Sequence, residues 1–423
     1  MRTKRLFIIM LAMVFVFGTG INMGANASGG GDDTPEPELP TVVSESLTND
    51  VFMPFPEEAE QDSAEAVDAG TLEINAKSVV LMEASGGTVL YENNSHEKLP
   101  PASVTKVMSM LLVMEAMEQG KFGLDDMVTA SDHACSMGGS QIWLKPGETM
   151  SVHDLLKATA VGSANDATTA LGELVAGTEE GFVNLMNARA AELGMDNTHF
   201  VNCAGLDAEG HLTTAHDVAI MSTELLKHET IKEFSTIWMD SLRDGATQLV
   251  NTNKLVRFYE GATGLKTGTT SGAGHCVSAT AKRGDMELCA VVMGSDNSND
   301  RFNGARKLLD YGFANWTTAA PEIDMSEDQS LKVVGGTAEQ VTLQPIECKP
   351  LLVQKGREGE IQQIIELPEF VDAPVTADQT LGKATVMLDD KILGEYPILA
   401  AEEVPQLNLL RAFGKLWHEL VRL

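Results

Sequence analysis

Three short runs in this chain combine residue types that together can transfer an acyl group. Ser103-Val-Thr-Lys106 places a hydroxyl three residues before an amine, and Ser163-Ala-Asn165 places a hydroxyl two residues before an amide. Lys266-Thr267-Gly268-Thr269 sets an ammonium beside two hydroxyls and a glycine. A serine hydroxyl is a weak nucleophile until a base takes its proton, and a lysine with a lowered pKa one turn along a helix can be that base. Ser103 follows Pro100-Pro101-Ala102 and precedes an apolar, Met-rich stretch over residues 104–117, so it opens a buried helix. An ordinary N-cap is the simpler reading, but such a cap prefers an acid three residues on. Lys106 instead puts a cation in the first turn, where the helix dipole opposes it by about 0.3–1 kcal/mol. That field, partial burial and a second cation nearby are expected to lower the lysine pKa, so that a neutral amine deprotonates Ser103.

The second and third runs supply what a nucleophile and base lack. Ser163 and Asn165 lie where one apolar helix gives way to the next, so a hydroxyl and an amide share a cleft, one to relay a proton and the other to hold a substrate carbonyl. Lys266 to Thr269 read as a strand on the cleft border. Its glycine permits close approach, and its ammonium and hydroxyl can hold a carboxylate. The backbone N–H groups of Ser103 and Thr269 are then expected to meet at the oxygen that becomes negative during attack. Two of these patterns recur: Ser95-His-Glu-Lys98 also matches the first, and Ser295-Asp-Asn297 is a variant of the second. The former sits in a polar turn, and the latter follows Lys266 in a run of Asn and Asp, so neither is expected to carry the chemistry.

These residues need elements to position them. Residues 76–91 alternate around Ser85-Gly-Gly87 as a hairpin, and helical patterns cover 152–161, 164–176, 180–193 and 215–228. Strand patterns return at 275–283 and 287–293, and 301–315 suits a closing helix. Strands at both ends of one unit with helices between imply an α/β domain whose sheet joins distant parts of the chain. Residues 331–399 change to short β-like runs, as in Gln340 to Ile346, Ile361 to Leu367, Ala384 to Leu388 and Ile392 to Leu399, and read as a small β-domain.

The chain's 423 residues accommodate these two domains. Arg2, Lys4 and Arg5 precede an apolar run from Leu6 to Phe17 and a small-residue site at Ala25-Asn-Ala27, which reads as a secretory signal peptide. The run is shorter than the roughly 20 residues that span a bilayer, although a retained anchor is the alternative. Residues 31–70 carry twelve acids, no Lys or Arg, and several prolines, as a solvated linker does. With a formal net charge of −31, a nucleic-acid role is excluded. Cys135, Cys203, Cys276, Cys289 and Cys348 show no C-x-x-C spacing and read mostly as buried small hydrophobes. No metal is expected, since the nine histidines form no H-E-x-x-H pair and His211 with His216 is better explained locally. After Pro405, Leu409, Phe413, Leu416, Trp417 and Leu420 share one helical face, with Arg411, Lys415 and Arg422 among the polar residues. Such a helix lies in a membrane interface or packs on protein.

With the three runs, the stretches Pro100 to Lys106, Gly138-Gly-Ser140, Leu144-Lys-Pro-Gly-Glu148, Gly162 to Ala167, Gly205-Leu206, His211-Leu-Thr-Thr-Ala215 and Gly264 to Gly274 resemble one family. That family is the low-molecular-mass penicillin-binding proteins, serine-type D-alanyl-D-alanine carboxypeptidases of the DacA and DacF kind (peptidase family S11). The resemblance implies a β-lactamase/transpeptidase-like domain, an antiparallel sheet with a helical subdomain, then a small all-β domain and an amphipathic helix on the outer face of the cytoplasmic membrane. On that basis the chain divides into a signal peptide (1–27), linker (28–72), catalytic domain (73–320), β-domain (321–400) and terminal helix (401–423).

In this resemblance Ser103 is acylated, Lys106 is its base, and Ser163 and Asn165 relay the proton and hold substrate. Lys266 with Thr267, in the run through Gly268 and Thr269, and Arg301 receive the substrate carboxylate. A surface salt bridge is the alternative for Arg301. The implied reaction removes the terminal D-alanine from peptidoglycan stem pentapeptides outside the cytoplasm, with no cofactor and with β-lactams as covalent inhibitors. Ala164 stands where many relatives have glycine, and Cys203 has no functional reading. A class A β-lactamase shares the trio, but no Glu-x-x-Leu-Asn-like loop lies between Ser163 and Lys266. A non-catalytic penicillin-sensing or wall-binding protein is disfavoured by the intact Ser103 and Lys106.

Overall fold

A computed structural model describes residues 72–326 and 329–408. The hairpin forms from Ser78–Glu83 and Val89–Asn93, and the Glu83 carboxylate accepts the turn N–H groups of Ser85 and Gly86 at 2.8 and 2.7 Å. These strands join Met286–Ser295, Gly274–Arg283 and Ala262–Thr270 in one antiparallel five-stranded sheet, with Val89–Asn93 and Ala262–Thr270 at its edges.

Both faces of the sheet are covered, so its central strands are apolar on both sides. Along Met286–Ser295, Leu288, Ala290 and Val292 join one core, while Cys289, Val291 and Met293 join the other. Helix Ser298–Asn315 covers the first face with Phe302, Ala305, Leu308 and Leu309. Its start explains the repeated Ser-Asp-Asn: Asn297 is the N-cap, accepting the Asp300 N–H at 2.9 Å. The helical subdomain covers the other face. Three of its helices begin where short hydroxyl side chains cap them, with Ser151 before Val152–Val161, Thr178 before Glu179–Glu192 and Thr214 before Ala215–Leu226. Each such cap contributes about 1 kcal/mol. Helix Lys106–Glu118 runs through the middle, buried around its circumference, which is why its sequence lacks a polar stripe.

The second domain has its own core of Leu331, Val333, Val341, Leu343, Leu381, Ala384 and Ile398, set in a six-stranded sheet. It is tied to the first domain by the antiparallel pair Trp316–Ala319 and Leu351–Gln354. Residues 401–408, which the sequence reading places at the start of the terminal helix, run extended along this domain instead. Val404 pairs with Val375, Gln406 with Gly336, and the Leu407 N–H reaches Gly335 O at 2.8 Å. The expected signal peptide, nearly all of the linker and the amphipathic residues 409–423 lie outside the described residues. Among the described residues no helix is long and apolar enough to cross a membrane.

Candidate active site

The turn that carries Ser103 is not the first turn of an α-helix, as expected, but a 3-10 turn, Ala102–Thr105, leading into Lys106–Glu118. At three residues per turn, side chains three apart eclipse one another, which brings the Lys106 amine onto the Ser103 hydroxyl. The Nζ–Oγ distance is 2.9 Å. Ser103 makes no capping hydrogen bond, so the N-cap reading is not realised.

Lys106 is fully buried, and its other two hydrogen bonds run to Asn165 Oδ1 at 2.7 Å and Ala204 O at 2.6 Å. Burial pulls its pKa down to about 7, against the opposing pull of Cys203 and Asp166. The lowering at Lys106 is thus an effect of burial and not, as expected, of a second cation, while burial first, then Lys106 and Arg301, hold Lys266 well below its usual range. Asn165 is fixed from both sides, its Nδ2 donating to Gly138 O at 2.6 Å and its backbone N to Ser140 O at 2.7 Å. Ser163 is buried at a positive φ of 59° between two helices, and none of the three Lys106 bonds goes to it. Within the second motif, it is the amide that touches Lys106.

Lys266, Thr267, Gly268 and Thr269 lie on the edge strand Ala262–Thr270, immediately beside the turn that carries Ser103. A Cβ at Gly268 would stand 2.8 Å from Ser103 N and 2.9 Å from Pro101 O, so only glycine lets the strand approach this closely. Thr267 Oγ1 donates to Thr252 Oγ1 at 2.6 Å, and Lys266 Nζ to Thr267 O at 3.0 Å. Arg301 is not a surface residue: it is 5% exposed, and its Nη1 donates to Gly268 O, Thr269 Oγ1 and Cys276 O at 3.1–3.2 Å. The third motif and Arg301 are thus one connected unit. Ser95, by contrast, donates to Glu92 at 2.5 Å in the turn after the hairpin.

The sequence reading assigned no role to the loop Asn202 to Leu206, although Gly205-Leu206 is part of the family resemblance. Asn202 Oδ1 gathers the N–H groups of Ala204, Gly205 and Leu206 at 3.3, 2.7 and 3.0 Å, which aims Ala204 O at Lys106. Gly205 has φ 86°, and a Cβ there would fall 1.9 Å from Ala102 O. Cys203 anchors the loop through its backbone, accepting from Ser109 Oγ at 2.6 Å and donating to Glu179 Oε1 at 3.1 Å. Burial pushes its thiol far up, so it packs without reacting. The one available signal was the Asn-x-x-Gly spacing of a loop turned on a side-chain amide.

Residues 62–297 match the family described as D-alanyl-D-alanine carboxypeptidase, and residues 325–406 match the C-terminal domain of penicillin-binding protein 5. The chain is 42% identical over 339 residues to the D-alanyl-D-alanine carboxypeptidase DacF of Bacillus subtilis, covering 79% of this chain and 87% of that one. The fold is similar to penicillin-binding protein 5 of Haemophilus influenzae, with 30% identity, a TM-score of 0.67 and coverage of 79% of this chain and 99% of that one. It is also similar to the ampicillin-bound penicillin-binding protein D2 of Listeria monocytogenes, with 32% identity, a TM-score of 0.50 and coverage of 57% and 98%.

Proposed function

The chain belongs to the D-alanyl-D-alanine carboxypeptidase family, and on that premise we propose that Ser103 is the residue its substrate acylates. The protein is a serine-type D-Ala-D-Ala carboxypeptidase that removes the terminal D-alanine from peptidoglycan stem pentapeptides. One observation carries the assignment of roles: a fully buried amine with a pKa of about 7 stands 2.9 Å from a serine hydroxyl.

Neutral Lys106 takes the Ser103 proton as Oγ attacks the penultimate D-alanine carbonyl. The oxyanion forms beside the Ser103 and Thr269 N–H groups, and each such donor lowers the barrier by about 2.7–4 kcal/mol. Collapse breaks the C–N bond, and the departing amine takes up a proton passed from Lys106 through Ser163. Lys266, Thr267 and Arg301 hold the terminal carboxylate, which orients the bond to be cut. Water then attacks the ester, with Lys106 again as base, and regenerates Ser103. A β-lactam opens by the same attack, but its nitrogen stays tethered to the acyl group and blocks that water. The Listeria monocytogenes penicillin-binding protein D2 to which the chain is similar has been solved in an ampicillin-bound form.

Protein lacking residues 1–27, given a D-alanyl-D-alanine pentapeptide and labelled penicillin, is expected to release D-alanine and keep the label for long times. Fast penicillin turnover without peptide cleavage would instead identify a β-lactamase.

Export through residues 1–27 and attachment through 409–423 complete the proposal and place the active site on the outer face of the cytoplasmic membrane. The support is compositional: a basic start and an apolar core in the first segment, and Leu409, Phe413, Leu416, Trp417 and Leu420 on one face of the last. Because residues up to Leu407 are held on the β-domain, the truncation that isolates the anchor ends at Asn408. That form is expected in the soluble fraction with its penicillin labelling intact; recovery with membranes would refute the anchor.

A further inference from the structure

Behind the nucleophile turn a second chain of hydrogen bonds runs through Thr105 and His211, both buried and neither used by the chemistry above. The Val201 N–H donates to His211 Nδ1 at 3.0 Å. A ring nitrogen that accepts carries no proton, so the neutral imidazole has its hydrogen on Nε2. Nε2 therefore donates to Thr105 Oγ1, 2.8 Å away. The Thr105 hydroxyl in turn donates to Ala102 O at 2.9 Å. Every member has one direction available, and the chain ends on the carbonyl immediately before Ser103.

That end point matters because a peptide unit is planar: the Ala102 carbonyl and the Ser103 N–H are opposite ends of one rigid plate. Whatever holds the carbonyl aims the N–H. Ala102 also has φ 48°, a left-handed conformation disfavoured for a residue with a Cβ, so this plate needs external support. Gly205 closes off the same carbonyl from another side, its Cα facing Ala102 O so closely that no side chain fits. The ordinary reading of His211 is a satisfied core histidine packed edge-on against Phe200. That reading explains its burial but not why its hydrogen bonds end at the strained peptide of the nucleophile.

We propose that the Val201–His211–Thr105 chain is a positioning device that fixes the Ala102–Ser103 peptide and so aims the Ser103 N–H at the oxyanion. Thr105 and His211 touch no substrate and are positioning residues. Burial and His199 hold His211 down to about 4, against Asp207, so the neutral tautomer persists across the working pH range. The proposal rests on the acyl-enzyme reading of Ser103 and deepens it.

The test compares the full-length chain in detergent with Thr105→Val, which keeps shape and loses the hydroxyl, and Thr105→Ser, which keeps the hydroxyl. Three quantities are measured: the acylation rate with labelled penicillin, the final labelling stoichiometry, and the affinity of a boronic acid that forms a tetrahedral adduct on a serine. Loss of a whole oxyanion donor slows such enzymes about 100- to 1,000-fold, so a misaimed one is expected to slow acylation about 10- to 100-fold. Thr105→Val should show that loss with a parallel loss of boronate affinity at unchanged stoichiometry, and Thr105→Ser should stay within about threefold of the parent. His211→Gln against His211→Phe repeats the comparison if the valine variant does not fold, glutamine keeping the donor to Thr105. Wild-type acylation and boronate affinity in Thr105→Val, or a loss confined to stoichiometry, would overturn the device and leave the role of Ser103 standing. Absence of label on the parent chain would remove the reading of Ser103, and the device with it.

Discussion

Ser103→Ala is expected to abolish both D-alanine release and penicillin labelling, lowering turnover on the order of a million-fold, as loss of an activated serine does in other hydrolases. Everything else in the site survives the change. Lys106 keeps its bonds to Asn165 Oδ1 and Ala204 O, and the Ala102–Thr105 turn keeps its backbone, since Ser103 caps nothing. The variant should therefore fold and still bind peptide through the carboxylate site. Labelled penicillin followed on a denaturing gel and D-alanine release give the readout. Residual labelling at a substantial fraction of the parent rate would place the nucleophile elsewhere, and Ser163 would be the next to test.

The second large effect is in the pH profile of acylation. A base with a pKa of about 7 is protonated, and idle, in acid. The rate constant should rise about tenfold per pH unit below 7 and level off above it. Lys106→Met should lose roughly 100- to 10,000-fold and flatten that limb, because the group that titrates is gone. An unchanged acid limb in Lys106→Met would assign the titration to another residue.

Linkage gives the same group a stability signature. The unfolded lysine titrates near its usual 10.5 while the folded one titrates at about 7, so between those values the unfolded state holds more protons. Stability contributed by this residue then rises with pH across that window and is lowest below it, where a buried ammonium must be carried. The base is thus bought with fold stability on the acid side.

Much of this was legible in the chain itself. The helices expected at 152–161 and 215–228 form as Val152–Val161 and Ala215–Leu226, because capping side chains and apolar spacing act within a few residues. The hairpin follows from turn chemistry in the same way, and the two long strands after Gly264 from short apolar runs bounded by turn residues. Less legible were the 3-10 turn at Ser103, which looks like any helix start, and the short pairs Met127–Thr129 with Thr149–Ser151 and Met239–Leu242 with Thr247–Val250, too brief to show a period.

The sequence alone determined which serine, which lysine and which third motif belong together, because their order and their local settings separate Ser103 from Ser95 and Ser163 from Ser295. Tertiary structure alone decided what those groups are. Lys106 owes its lowered pKa to burial, and burial is contributed by packing from across the domain. Its two further partners are Asn165 and the Ala204 carbonyl, 59 and 98 residues away. A backbone carbonyl leaves no mark in a sequence, since every residue has one; only the fold determines which of them faces the amine.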